Sequence, residues 1–186
     1  EGVALILGKR VLEEVVEYRE VSAWLMWVKV KFGGEFWVFV CAYGPGSERS
    51  EEEREAFWNE LARCVEERKR GVCQVVVLED LNASVGNEEV HGVMRKYGVP
   101  GRNVSGKRIL ELCFELELRI GNMYFKKNGI NNFIWQRIHN GRIMDYVLME
   151  ESALGRLVDV HVASGTGGGL SDHFLVVAKV KGWDRF

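Results

Sequence analysis

The stretch WLMWVKVKFGGEFWVFVCA, Trp24 to Ala42, reads as a β-hairpin. Trp24, Met26, Val28, Val30 and Phe32 are apolar at alternate positions while Lys29 and Lys31 point the other way, the period-two pattern of a half-buried strand. Gly33-Gly34 supplies a two-residue turn, and Phe36 to Ala42 returns as a strand apolar on both faces, as a central strand is. Beyond it come a loop, Tyr43-Gly44-Pro45-Gly46, and then a helix. Ser50 with Glu53 forms a capping box, Phe57, Leu61, Cys64 and Val65 make the apolar stripe, and Arg68, Lys69, Arg70 and Gly71 close the helix. A buried strand, Val75 to Leu78, runs into Glu79-Asp80-Leu81-Asn82. A second helix carries Ile109, Leu112, Cys113 and Leu116 on one face. Phe133 to Ile138 and Ile143 to Met149 read as another hairpin about Asn140-Gly141. Val158, Val160 and Val162 mark a further half-buried strand, and Phe174 to Val180 the closing one, after a Gly-rich loop from Ser164 to Gly169. The opening residues, Glu1 to Leu7, read as entering directly in a strand. The expectation is one α/β domain over residues 1–186, mostly strands, with two principal helices.

Composition narrows the function classes. The chain has 186 residues, 47% hydrophobic and 28% charged, which excludes a disordered or fibrous protein. A formal net charge of −2 provides no global positive field, so nucleic-acid binding must use local patches. No apolar run approaches the roughly 18 residues of a membrane span, and no signal peptide is expected. The four cysteines, Cys41, Cys64, Cys73 and Cys113, have no metal-like spacing and read as buried thiols suited to a reducing compartment.

Two places repeat one arrangement: Asp80 and Asn82 just past a buried strand, and Asp172 and His173 just before another. A carboxylate at a strand end is held rigidly yet faces solvent, which suits holding a metal or orienting a water. Taken alone, Asp-x-Asn reads first as an Asx turn closing the strand. Asp145 lies within an apolar strand, where a carboxylate needs a partner. His173 is the natural one, as a structural pair or as a cation beside phosphate. Other motifs fail. Gly101 to Arg108 has P-loop spacing, but Arg108 stands where Ser or Thr should hold magnesium. Ser171-Asp172-His173 has the letters of a hydrolase triad, but adjacent residues cannot form that relay.

In order, Tyr43-Gly44-Pro45, Asp80-Leu81-Asn82, Met144-Asp145-Tyr146 and Ser171-Asp172-His173 resemble the endonuclease/exonuclease/phosphatase superfamily. Phe57 to Leu61, Gly121-Asn122, Phe133-Ile134-Trp135 and Ser171 to Lys179 are similar to the apurinic-type endonuclease domains of non-LTR (LINE, RTE-like) retrotransposons, the group with the craniofacial development protein 2-like proteins. The resemblance covers essentially the whole chain. It implies a four-layer sandwich of two mainly antiparallel β-sheets flanked by helices, with the site at one end of the sheets. It also implies roles: Asp80 orients or deprotonates the attacking water, Asn82 contacts the scissile phosphate and Tyr43 lies against it. Asp145 and His173 form a charge-stabilising pair, Asp172 and Asp80 hold Mg²⁺ (or Mn²⁺), and Ser171 supports its loop. The hairpin bearing Arg137, His139 and Arg142 reads either as a DNA-facing element or as a plain solvated one.

The implied activity is a Mg²⁺-dependent DNA endonuclease leaving a 3′-hydroxyl, which a reverse transcriptase domain in a longer parent protein would extend. DNA is then the partner and the nucleus the location. The family's opening strands, with an Asn and a metal-binding Glu, have no counterpart in this sequence, so weakened activity is expected, together with an exposed sheet edge. Residue 79 is Glu where the family has Gly, and Gly46 stands where many relatives have Asn. Strand neighbours face opposite ways, so Glu79 is not expected to share a metal with Asp80. The alternatives are a catalytically dead domain kept as a binding or structural module, and another phosphatase of the same superfamily.

Overall fold

The computed structural model describes residues 2–71, 73–126, 144–163 and 175–182. Among these, α1 (Lys9–Leu12) precedes β1 (Val15–Ser22), β2 (Leu25–Phe32) and β3 (Glu35–Tyr43). Then come α2 (Glu51–Lys69), β4 (Cys73–Asp80), α3 (Val104–Glu115), β5 (Leu118–Ile120) and a 3-10 turn (Gly121–Tyr124). Residues 144–182 contribute β6 (Asp145–Glu150), α4 (Glu151–Leu154), β7 (Leu157–Val162) and β8 (Val176–Val180). One sheet has six strands in the order β1-β2-β3-β4-β6-β5, and a second has β7 and β8. Every pairing is antiparallel except β3 with β4, which α2 connects as a crossover. This is the mixed α/β architecture expected, with helices and the two-stranded sheet packed on the larger one.

The hairpin forms as the pattern requires. Phe32 pairs with Glu35 across Gly33 and Gly34, whose φ of 56° and 88° are the left-handed values of a two-residue turn. The capping box at Ser50 is complete: Glu53 N–H donates to Ser50 Oγ at 3.1 Å, and Ser50 N–H donates to Glu53 Oε2 at 3.0 Å. From α2, Phe57, Leu61 and Val65 pack with Ile109 and Cys113 of α3 on Leu25, Trp27, Val40, Val75 and Val77. On the opposite face Val28, Val30, Trp37, Val76 and Met149 meet Val160 and Val180 of the second sheet.

Four readings need correction or extension. β2 is buried on both faces at its start, because Leu25 and Trp27 lie beneath α2 on the side assigned to solvent. Residues 2–8 form no strand; Leu5, Leu7 and Val11 pack instead on the second core without pairing. β1 and β5 are additional strands. β1 is largely exposed, so its residues carry no alternating apolar signal, and β5 has only three residues. The strand from Asp145 pairs with β4 and β5, while residues 133–143, the other half of the expected second hairpin, lie outside the described residues.

Candidate active site

Sheet register assembles the site. At the last position of β4, Asp80 is the pairing partner of Tyr43 in β3 and of Asp145 in β6. Residues opposed in a sheet project from the same face. Tyr43, Asp80 and Asp145 therefore form one row at the sheet's end, on the face turned toward the second sheet. A cavity of about 590 Å³ lies against that face, walled by Leu5, Phe39, Leu78, Met149 and Val176, with Tyr43, Asp80 and Asp145 at its end. Three residues expected at the site, far apart in sequence, thus meet.

The loop after β4 is fixed by its own hydrogen bonds. Asn82 N–H donates to Asp80 Oδ1 at 3.0 Å, so the Asx turn is present, and Asn82 adopts a left-handed φ of 48°. Its Nδ2 donates to the carbonyl of Gly44 at 3.0 Å, while Gly44 N–H donates to the carbonyl of Asp80 at 2.7 Å. A Cβ on Gly44 would stand 2.8 Å from Leu81 Cα, so only glycine allows this approach. The Tyr-Gly-Pro and Asp-Leu-Asn motifs are therefore two sides of one contact.

Two asparagines that sequence reasoning did not assign hold this frame. Asn103 caps α3: its Oδ1 accepts from Gly106 N–H at 2.8 Å and from Ser84 N–H at 2.9 Å, and its Nδ2 donates to the Asn82 carbonyl at 2.9 Å. The segment that fails as a P-loop is thus a helix start clamping the Asn82 loop. Asn122, buried to 3% exposure, donates to the Asp145 carbonyl at 3.0 Å and accepts from Val147 N–H at 2.8 Å. The only signal for Asn103 was a capping residue three before a glycine; Asn122 had none beyond its place in Gly121-Asn122. Tyr146 lies beneath the loop, its hydroxyl accepting from Val85 N–H and donating to the Ala83 carbonyl, each at 3.3 Å.

Glu79 turns away from the row. It pairs with Ala42 and Tyr146, residues of the helix-covered core. It is buried, and neither carboxyl oxygen has a hydrogen-bond partner among the described residues. Burial, and then the charges of Asp80 and Asp145, push its carboxyl well above the ordinary value of 4.5. Burial, with Glu79 nearby, likewise holds the Cys113 thiol high. On the far face of β4, turned into the helix-covered core, Glu79 is not placed to share a metal with Asp80.

Ser171, Asp172 and His173, and the basic residues Arg137, His139 and Arg142, lie outside the described residues. Among the described residues no group of three or more His, Cys, Asp or Glu is placed to hold a metal ion. Asp80 and Asp145 nevertheless offer hard oxygen donors from adjacent strands. That suits Mg²⁺, which is commonly bound through one or two carboxylates together with waters and substrate phosphate.

A six-stranded sheet under two helices, with a two-stranded sheet opposite and an acidic row at the end of the cleft between them, is a mixed α/β fold similar to that of known nucleases. Among solved structures, the chain is similar to the 3′-5′ exonuclease NExo from Neisseria meningitidis, with a TM-score of 0.64 and 17% identity over 89% of this chain and 71% of that one. It is also similar to the endonuclease domain of TRAS1, a telomere-specific non-LTR retrotransposon, with a TM-score of 0.59, 16% identity and coverage of 89% and 68%. Craniofacial development protein 2 of Bos taurus is 26% identical over 185 residues, covering 97% of this chain and 30% of that protein. The same protein of Tragulus javanicus is 24% identical, covering 97% and 31%. The chain thus spans about 30% of the length of the curated relatives it matches. No protein-family model matches it. The superfamily resemblance carried by the ordered motifs and these likenesses agree.

Proposed function

We propose that the chain forms the larger part of a divalent-metal-dependent DNA endonuclease domain. The observation that carries this reading is the single row of Tyr43, Asp80 and Asp145 at the end of the cleft. In this reading Asp80 orients and deprotonates the attacking water, with its second oxygen fixed by Asn82 N–H. Asn82 keeps its amide beside Gly44 and turns its remaining N–H to the scissile phosphate. Tyr43 packs against that phosphate, and Asp145 pairs with His173. Bound Mg²⁺, or Mn²⁺ in its place, would neutralise the phosphate charge, held by Asp80 with Asp172. Two carboxylates alone would repel a phosphodiester, which is why the reading requires a divalent ion. A similar structure, the 3′ phosphatase NExo from Neisseria bound to a product DNA hairpin, supports DNA as the substrate class. A 3′-hydroxyl product, a reverse transcriptase domain in the parent protein and a nuclear location belong to the same proposal.

The test is nicking of supercoiled plasmid by the purified chain in Mg²⁺, in EDTA, and with Asp80→Asn and His173→Ala variants. Nicking that requires the metal and disappears in both variants is expected. A folded chain that leaves the plasmid intact in Mg²⁺ and in Mn²⁺ overturns the proposal.

A further inference from the structure

Resting on the DNA-nuclease reading above, we propose that Arg95, Lys96 and Lys126 form a phosphate-backbone contact for duplex DNA beside the acidic row. Arg95 and Lys96 are exposed and directly follow Val93 and Met94, which are buried in the helix-covered core. The turn before them is closed by Val90 and Met94, each donating its N–H to the other's carbonyl at 3.0 Å. Ile120 N–H ties that turn to β5 by donating to the Val93 carbonyl at 3.0 Å. The Arg95 guanidinium lies over the Tyr124 ring, 5.4 Å from its centroid. Tyr124 ends the 3-10 turn whose Asn122 donates to the Asp145 carbonyl, and exposed Lys126 follows two residues later. Two residues span at most about 7 Å, so the three cations stand well within one helical turn of DNA, about 34 Å, from Asp145.

Charge points to phosphate. The chain carries a net charge of −2 and the row itself is acidic, so a bound DNA needs local cations to offset repulsion at the cut. Arg95, Lys96 and Lys126 form no ion pair among the described residues, whereas Arg102 and Arg119 are paired with Glu88 and Glu151. Two carboxylates are felt at Tyr124, Glu89 and Glu151, and Arg119 neutralises the second at 2.7 Å. The local balance is positive, three cations against Glu89. From Leu118 to Met144 the sequence holds no Asp or Glu, so the chain around Lys126 adds no counter-charge. A cation–π contact occupies the flat face of the Arg95 guanidinium and leaves its N–H edge for a phosphate. It also holds the side chain in place before DNA arrives, which lowers the cost of ordering it. Phosphate contacts fix register and carry no sequence information, so the patch seats the strand at the row without choosing its sequence.

Fluorescence anisotropy tests this with a labelled duplex in EDTA, which prevents metal-dependent cleavage, over a series of KCl concentrations. Each phosphate contact contributes about 0.9 to the slope of log affinity against log salt. Arg95→Gln/Lys96→Gln is expected to lower the magnitude of that slope by about 2, and Lys126→Gln by about 1. Arg95→Lys, which keeps the charge, should leave it unchanged. Lys9→Gln/Arg10→Gln makes the same change in net charge at the far end of the sheet, where the Glu14 carbonyl beside α1 accepts from Lys31 N–H next to the Gly33-Gly34 turn. It should keep the wild-type slope. An Arg95/Lys96 double variant with the wild-type slope, or one that shifts no more than the Lys9/Arg10 variant, overturns the proposal. Either result with metal-dependent nicking intact removes the patch and leaves the nuclease reading standing. A wild-type chain that binds no duplex also overturns the patch, and takes the nuclease reading with it where the plasmid stays intact as well.

Discussion

Asp80 and Asp145 sit directly opposite one another on antiparallel strands β4 and β6, the final pair of that ladder. Like charges opposed across a ladder are unfavourable, and a cation held by Asp80 relieves that repulsion. Mg²⁺ should therefore raise the thermal midpoint of the chain, by an amount set by mass action: about 2.7 kcal/mol at a hundredfold excess over Kd. Asp80→Asn should abolish the metal-dependent rise and lower nicking by on the order of 10²–10³ or more. Differential scanning fluorimetry with and without Mg²⁺ checks the first effect. A midpoint that climbs equally in the variant would place the metal elsewhere.

Asn122 ties the start of β6 to the 3-10 turn by two side-chain hydrogen bonds. Asn122→Ala removes the part-buried bond to the Asp145 carbonyl and the buried bond to the Val147 N–H. The expected cost is about 2–3 kcal/mol, read from urea denaturation. Asn122→Asp should restore the acceptor for Val147 but not the donor to Asp145, and it adds a charge beside the acidic row. It is therefore expected to fold better than the alanine variant in metal-free buffer while nicking no better.

How far the sequence carried this reading depended on the kind of signal. The Trp24–Ala42 hairpin and α2 were legible because periodicity, a two-glycine turn and a capping box are local. Asp80 stood out because it follows a run of buried valines, and Asp145 because it interrupts an apolar strand. Their adjacency was not legible. It depends on β6 inserting between β4 and β5, a strand order that no local pattern encodes. Nor was Asn103 legible as a clamp, since its cap of α3 is local but its bond to the Asn82 carbonyl spans 21 residues. Residues 2–8 misled for the opposite reason: an apolar run matches a strand, yet burial against the second core satisfies it without pairing.

Thiol reactivity should follow burial. Burial pushes the Cys41 and Cys64 thiols up to about 11, and holds Cys113 well above the ordinary thiol range. Cys73 is half-buried at the start of β4. Brief treatment with iodoacetamide near pH 8 is expected to alkylate Cys73 first. The other three should react only on unfolding, because both access and thiolate fraction are low. Peptide mass spectrometry reads the order directly. Rapid labelling of Cys113 in folded protein would contradict the packing of α3 against the sheet.

Glu79 gives the sharpest stability prediction. Its carboxyl is buried, lacks a hydrogen-bond partner among the described residues, and has its pKa raised by burial and by the charges of Asp80 and Asp145. A buried polar group without a partner costs roughly 1–3 kcal/mol, so Glu79→Leu, similar in size and apolar, should stabilise the chain by about that amount. The pH dependence has a definite sign. The folded-state pKa lies above the unfolded one, so the ionisation of Glu79 takes nothing from stability below about 4.5. Stability falls as pH rises from there through the raised folded value, because the unfolded chain ionises while the folded one resists. Urea denaturation in EDTA at a series of pH values above 4.5 should therefore show wild-type stability falling more steeply than that of Glu79→Leu, with the gap between them widening as pH rises. A variant less stable than wild type, or one with the same slope, would mean that Glu79 has a partner and contributes to the fold.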